Sequence, residues 1–265
     1  MAMTILSFGG GLQSTTLHKM IICGEHPRPD HYIFADTGAE TEGTYANVNQ
    51  CEAECVRAGI PFHRVSSGDM LADLQSEQGR RFASPPLFTR DLDTGKTGIL
   101  RRQCTSEYKI EPINRKVREL FGVAPRVRLP TLAVDMWLCI TTDELQRVTV
   151  SRERWKQHVY PLVDLRMHRR DCTAWLQNRG MAEPPRSACV FCPFRSDTEW
   201  RHVKSDPVAW KTAIAIDEAL RTDPKTRSER FVYKKAVPLA MADLSTPEEQ
   251  GQGAFRFECA GVCGI

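Results

Sequence analysis

The chain has 265 residues, enough to bury a sizeable core as one domain or as one domain with an appendage. With 41% hydrophobic and 26% charged residues it has the composition of a soluble globular protein, and no apolar run approaches the length that crosses a bilayer. A formal net charge of +3 suits an anionic substrate but is too slight to argue for nucleic acid by itself. Met1 to Phe8 lacks the basic and long apolar regions of a signal peptide, so the expected location is cytoplasmic, with no membrane partner. In a reducing compartment the 10 cysteines do not suggest a disulfide framework, and clustered subsets point to metal binding or thiol chemistry.

Thr4 to Phe8 reads as a short, mostly apolar strand, and Gly9, Gly10 and Gly11 then allow a sharp turn. Ser14, Thr15 and Thr16 stand where they can cap a helix over Leu17 to Cys23. A strand, a glycine turn and a polar helix start present unpaired N–H groups at the positive end of a helix dipole, which makes a phosphate or sulfate cradle. A plain tight turn accounts for the same glycines. The loop matches neither GxxxxGK[ST] nor GxGxxG. Tyr32 to Ala35 is a second strand, closed by Asp36-Thr37-Gly38 at the edge where a parallel sheet receives ligands. Asp36 can meet a ribose hydroxyl, a metal or the glycine loop, Thr37 adds a donor, and Gly38 permits close approach; an Asx turn ending the strand is the alternative. Thr44 to Ala58 is helical, with Val48, Cys51, Cys55 and Val56 on or near one face, and Phe62 to Val65 is a third strand. This alternation predicts a doubly wound α/β sheet.

Asp69 to Gln78 reads as helical, and the stretch from Arg80 to Gly98 as a surface excursion or an active-site cover. Arg101, Arg102 and Cys104 lead into a basic amphipathic helix that packs through Ile113, Val117 and Leu120. The arginines either bias the Cys104 thiol toward thiolate or hold a phosphate or sulfate. Thr131 to Thr141 is a further strand and Glu144 to Val148 a helix start. Arg147, Arg152, Arg154, Lys156, Arg166, Arg169 and Arg170 then accumulate in a loop-rich interval, a basic stripe suited to nucleic acid phosphates or to a small anionic nucleotide. Asp171 to Leu176 starts a helix that Gly180 stops. In Cys189-Val190-Phe191-Cys192-Pro193 two thiols can share one ion or form a redox pair. Asp197 to Arg221 is mostly helical, interrupted at Pro207, and Phe231 to Leu239 is a short packed segment. The expected division is a nucleotide-binding α/β domain over 1–180 and a helical and irregular region over 181–265. Near the terminus, Cys259 and Cys263 are either mobile thiols able to enter an anion site or structural metal ligands.

Ser7-Phe8-Gly9-Gly10-Gly11-Leu12-Gln13-Ser14 resembles the SGGxDS loop of the PP-loop (adenine nucleotide alpha hydrolase-like) superfamily, with one extra residue and Gln13 for the loop aspartate. Within it, the chain is most similar to the phosphoadenosine phosphosulfate (PAPS) reductase family. Asp36-Thr37-Gly38, four residues, then Gly43-Thr44-Tyr45 resembles that family's DTG motif and its following Glu-Thr-Tyr, without the glutamate. Cys104, Lys109, Pro112 and Ile113 resemble the Cys-Cys-x-x-x-Lys-x-x-Pro-Leu element of iron–sulfur APS reductases, with Thr105 at the second cysteine. Cys189 and Cys192 resemble the distal pair of that cluster site, and Glu258-Cys259-Ala260-Gly261 resembles a terminal Glu-Cys-Gly-x-His.

The resemblance implies a doubly wound, mostly parallel sheet with a cysteine-containing C-terminal extension. It implies an adenine nucleotide (PAPS, APS or ATP, the last with Mg2+) held by Ser7, Gly9, Gly10, Gly11, Gln13, Ser14, Asp36, Thr37 and Gly38. Arg101 and Arg102 would neutralise oxyanions while Cys259 attacks sulfur. Cys104, Cys189 and Cys192 would hold a [4Fe–4S] cluster, or zinc, with Cys263 among the candidates for a fourth ligand. Thioredoxin or glutaredoxin would be the reductant. An ATP-dependent sulfurtransferase acting on tRNA or DNA is the alternative enzyme, and a binding protein with a structural metal the alternative without turnover. A homo-oligomer is compatible with each.

Overall fold

The computed structural model describes residues 2–75, 85–124, 127–222, 227–246 and 249. The chain begins with β1 (Met3–Phe8), α1 (Leu12–Ile22), β2 (His31–Asp36), α2 (Glu42–Arg57), β3 (Phe62–Ser66) and α3 (Met70–Gln75). Next come β4 (Phe88–Asp91), β5 (Thr97–Ile99), a π-helical turn (Ser106–Ile110) that runs into α4 (Glu111–Leu120), and β6 (Val134–Leu138). A 3-10 turn (Thr142–Arg147) leads to β7 (Lys156–Val159), α5 (Pro161–Asp164) and α6 (Arg169–Gln177). The last elements are α7 (Asp197–Ser205), α8 (Pro207–Ala219), β8 (Ser228–Phe231) and a 3-10 turn (Leu239–Met241).

The chain divides into two units, Met1–Pro86 with Leu100–Phe191, and Leu87–Ile99 with Cys192–Ile265. The first is built on a five-stranded sheet in the order β3-β2-β1-β6-β7 with every neighbouring pair parallel. Alternation along the strands feeds two cores. Leu6, Phe8, Tyr32, Phe34 and Trp137 pack with Leu17, Ile21, Val48 and Leu176 of α1, α2 and α6. On the opposite face Ile5, Ile33, Ala35, Val134 and Met136 pack with Ile113 and Val117 of α4. A parallel sheet covered on both sides needs strands that are apolar at successive positions, which is why β1 and β2 are conspicuous in the sequence. The doubly wound α/β expectation is met.

The second unit carries a three-stranded antiparallel sheet, β5-β4-β8, in which Arg90 and Arg221 lie over the Phe231 ring. β4 and β5 fall in the stretch read from sequence as an excursion or cover. At 4 and 3 residues they are too short to show a pattern. Asp217, in α8, is 1% exposed and accepts from the Val232 and Leu239 amides, tying the end of β8 to that helix.

Two further expectations are corrected. α1 starts at Leu12, not Leu17, because Gly11 itself takes the N-cap position. Ser14 and Thr16 therefore lie inside the helix, where their hydroxyls donate back to the Gly11 and Leu12 carbonyls at 3.1 and 2.9 Å, so they cap nothing. The basic stripe is not one surface. Arg152 and Arg154 precede β7, at the sheet edge opposite the glycine turn, whereas Arg147, Arg166, Arg169 and Arg170 follow β6 or β7. Lys156 is 7% exposed and bound to Glu153 at 2.5 Å and Asn114 at 2.9 Å.

Candidate functional site

From β1 the chain fills β2 and β3 on one side of the sheet and then crosses to β6 and β7 on the other. The connections leaving β1 and β6 therefore diverge, and the crevice beyond their carboxyl ends is where a parallel sheet admits a ligand. The β1 connection is Gly9–Gly11, and the β6 connection runs into the 3-10 turn. Gln13 Nε2 donates to Glu144 Oε2 over 2.7 Å, so the two connections touch across this crevice. Glu144 also accepts from Arg147 at 2.6 Å.

The three glycines have different duties. Gly10 has φ +74°, and a Cβ there would stand 2.7 Å from Val48 Cγ2, so its lack of a side chain lets the turn lie on α2. A Cβ on Gly11 would meet Ser187 Cβ at 3.3 Å. Gly9 is exposed, and a Cβ there would meet Ser14 Oγ at an ordinary 3.7 Å. Behind the turn, α1 has no side-chain cap and no acidic residue in its first turn. Thr15 N donates to Gly11 O at 2.9 Å, so the Leu12, Gln13 and Ser14 amides lie ahead of that bond. This end of α1 carries roughly half a positive elementary charge from the aligned peptides, with no carboxylate on its first turn to offset it. Ser7, half-buried, pairs in register with Ile33 of β2 and Leu138 of β6, immediately behind the turn.

The β2 connection supplies a second cluster. Asp36 Oδ1 accepts from Gly38 N at 2.9 Å, the Asx-turn bond, and also from the Tyr45 hydroxyl at 2.8 Å. Burial, together with the Asp36 carboxylate, pushes the Tyr45 hydroxyl above its ordinary pKa. Gly38 has φ +69°, and a Cβ there would lie 2.9 Å from Asp69 Oδ1. Thr37 is fully buried, its Oγ1 3.7 Å from Cys189 Sγ. Glu40, whose side chain is 0% exposed, accepts from Lys109 Nζ at 3.1 Å and from Ser187 Oγ at 3.3 Å. Val190 N donates to Ala39 O at 2.8 Å. Three separated motifs, 36–40, 104–113 and 187–190, are thus joined on one buried carboxylate and the backbone beside it. Sequence reasoning did not place Glu40, Ser187 or Glu144 in the site.

Asn47 was also missed. Its Nδ2 donates to Gly10 O and to Thr15 Oγ1, each at 2.9 Å. The available signal was an asparagine, a poor helix former, mid-helix beside the buried positions Thr44, Val48 and Cys51.

Arg101 and Arg102 are exposed, and Cys104 is half-buried just before the π-helical turn, which contacts β2. Cys189 belongs to the first unit and Cys192 to the second. Among the described residues no group of three or more His, Cys, Asp or Glu side chains is arranged to hold a metal ion. Cys263, the candidate fourth ligand, and Cys259, the expected nucleophile, lie outside the described residues. Burial pushes the thiols of Cys51 and Cys55 up to about 12 and that of Cys172 up to about 11, so they remain protonated and act as small core residues. No helix among the described residues is long and apolar enough to cross a membrane.

A shallow depression of about 830 Å³ opens at the opposite edge, lined by Asp30, His31 and Thr131–Ala133 among others. Phe121, the C-cap of α4, also lines it, so a helix's negative end faces that region and disfavours an anion.

No family model and no curated protein matches the sequence. Among solved structures the chain is similar to a phosphoadenylyl-sulfate (PAPS) reductase from Candida auris in a phosphate complex, with 14% identity and a TM-score of 0.41 over 69% of this chain and 76% of that one. A TM-score of 0.41 is too low to carry function from one to the other. What the chain's own strands establish is a five-stranded parallel α/β sheet with a glycine turn at its switch point.

Proposed function

We propose that the first unit holds the phosphates of an adenine nucleotide against Gly9–Gln13, and that the chain reduces a sulfonucleotide, PAPS or APS, to sulfite. One observation carries the phosphate assignment: α1 begins at the switch point behind a glycine turn, with no side-chain cap and no acidic residue in its own first turn. The adenine and sulfur assignments rest on the sequence resemblance at 7–14, 36–45, 104–113 and 258–261.

In this reading the amides ahead of Thr15 receive phosphate oxygens. Lys109, oriented by Glu40, and the exposed Arg101 and Arg102 add positive charge to the anionic end. The Cys259 thiolate attacks the sulfonate sulfur, and the bond from that sulfur to the phosphate oxygen breaks. The nucleotide leaves with the electron pair, and the enzyme keeps a Cys259 thiosulfonate. One thiolate of reduced thioredoxin or glutaredoxin then attacks the Cys259 sulfur and releases sulfite. Its second thiol resolves the mixed disulfide, restoring the Cys259 thiol and leaving the reductant oxidised. No step runs through a metal.

The test incubates wild type and Cys259→Ser with PAPS or APS plus reduced thioredoxin, and separately with ATP, sulfide and bulk tRNA. Sulfite from wild type and none from the variant, with nucleotide binding retained, is the expected result. ATP-dependent thiolation that survives the substitution would overturn the reductase reading in favour of a sulfurtransferase. Nucleic acid binding without consumption of any nucleotide would favour an accessory binding protein.

A further inference from the structure

We propose that Asn47 is the positioning residue of the glycine loop, the side chain that turns the loop's carbonyl inward so that its amides face an anion. The inference rests on the assignment of phosphate binding to Gly9–Gln13.

A peptide plane has two faces to offer, and a phosphate site requires the N–H groups outward and the C=O groups elsewhere. At Gly10 the carbonyl is turned toward α2, where Asn47 Nδ2 donates to it at 2.9 Å. The same nitrogen donates to Thr15 Oγ1 at 2.9 Å, so one amide group spans the loop and the first turn of α1. A carbonyl oxygen can only accept, which identifies the group facing Gly10 as the NH2 end of Asn47. The other end, Oδ1, faces the Cys51 thiol at 4.0 Å. Asn47 is half-buried and its neighbours Thr44 and Val48 are fully buried, so the amide stands on a rigid face of α2. Val48 Cγ2 would lie 2.7 Å from a Cβ on Gly10, which keeps the loop close against that face. No other natural side chain of this length offers two donors on one nitrogen. Aspartate has the same shape but presents oxygen to the Gly10 carbonyl, and the repulsion frees the peptide to turn its carbonyl toward the anion site.

The test compares wild type, Asn47→Asp, Asn47→Ala and a control, Cys55→Ala, which perturbs the core face of α2 away from the loop. Binding of ATP, inorganic pyrophosphate and adenosine is measured at a temperature where all four are folded, alongside melting temperature. Asn47→Asp is expected to weaken ATP and pyrophosphate about tenfold or more, the factor that follows from losing a hydrogen bond and gaining a repulsion. Asn47→Ala is expected to weaken both by a smaller factor. Adenosine affinity should stay unchanged in both, and Cys55→Ala should melt earlier while binding ATP as wild type does. Unchanged ATP and pyrophosphate affinity in Asn47→Asp, with wild type binding both, would overturn this inference and leave the phosphate assignment standing. Equal losses in Cys55→Ala would reduce Asn47 to a structural residue. Failure of wild type to bind either phosphate ligand would overturn the assignment and this inference together.

Discussion

The Lys109 ammonium donates to Glu40 across 3.1 Å, joining the connection after β2 to the turn before α4 although the residues are 69 positions apart. The carboxylate is enclosed while the lysine is 35% exposed, so the two partners are not equivalent. Removing Lys109 leaves a buried charge that has lost its cation and keeps the Ser187 hydroxyl, whereas neutralising Glu40 leaves a lysine that water can still reach. Lys109→Met is therefore expected to lower stability by roughly 2–3 kcal/mol and Glu40→Gln by about 1 kcal/mol, with the double variant recovering part of the loss. Denaturant unfolding checks this; equal, small effects below about 0.5 kcal/mol in both singles would remove the pair from the account.

The glycine turn predicts opposite behaviour at adjacent positions. An alanine methyl at Gly10 meets Val48 at 2.7 Å on a backbone with φ +74°, and should destabilise the fold by roughly 1–3 kcal/mol. Gly9→Ala, with its nearest contact at 3.7 Å, should stay within about 0.5 kcal/mol of wild type. Melting curves of the two variants distinguish them. A Gly10→Ala chain as stable as Gly9→Ala would mean that the turn does not lie on α2 as described.

Much of this region was legible in the sequence, and the reasons are local. β1 and β2 announce themselves because both faces of the sheet are covered over them, and the glycines after β1 mark the turn. The ends of α1 were not legible. Three hydroxyl residues look like a cap until the structure shows Gly11 in that place, the Ser14 and Thr16 hydroxyls bonding backward and that of Thr15 accepting from Asn47. β7 was missed because Lys-Gln-His-Val has no apolar alternation, its lysine being buried through Glu153 and Asn114 rather than by its own character. The contacts of Glu40 with Lys109 and Ser187 depend on long-range folding, and no spacing rule reaches across such separations.

Three histidines set a pH dependence. Burial lowers the pKa of His18 below 6.5, against an opposing hydrogen bond with Glu54, and burial likewise lowers His31 and His63. The folded chain thus favours the neutral rings. Their contribution is fully present above about pH 6.5, where the unfolded rings are also neutral, and is lost as pH falls through the lowered folded values. The unfolding free energy is expected to be smaller at about pH 5.5 than at about pH 7.5, and His18→Gln should shrink the difference. Stability that is equal or higher at the lower pH would contradict this.

Metal content tests the cysteine arrangement. If Cys104, Cys189 and Cys192 hold a [4Fe–4S] cluster, anaerobically purified chain is expected to carry iron and acid-labile sulfide in comparable, near-stoichiometric amounts, whereas a zinc site would give stoichiometric zinc without sulfide. The metal should be lost in both Cys189→Ser and Cys192→Ser, and full metal content retained in both variants, or none in wild type, would remove these cysteines as ligands.

The most direct measurement is calorimetric titration of ATP and of PAPS into wild type and Gly9→Val. The valine adds bulk on the exposed side of the turn, where its Cβ meets nothing nearer than 3.7 Å, so the fold should be kept while phosphate approach is blocked. Binding by wild type and at least about tenfold weaker binding by a normally melting Gly9→Val is the predicted result. No binding by wild type, or equal affinity in the variant, would contradict the assignment of nucleotide phosphates to Gly9–Gln13.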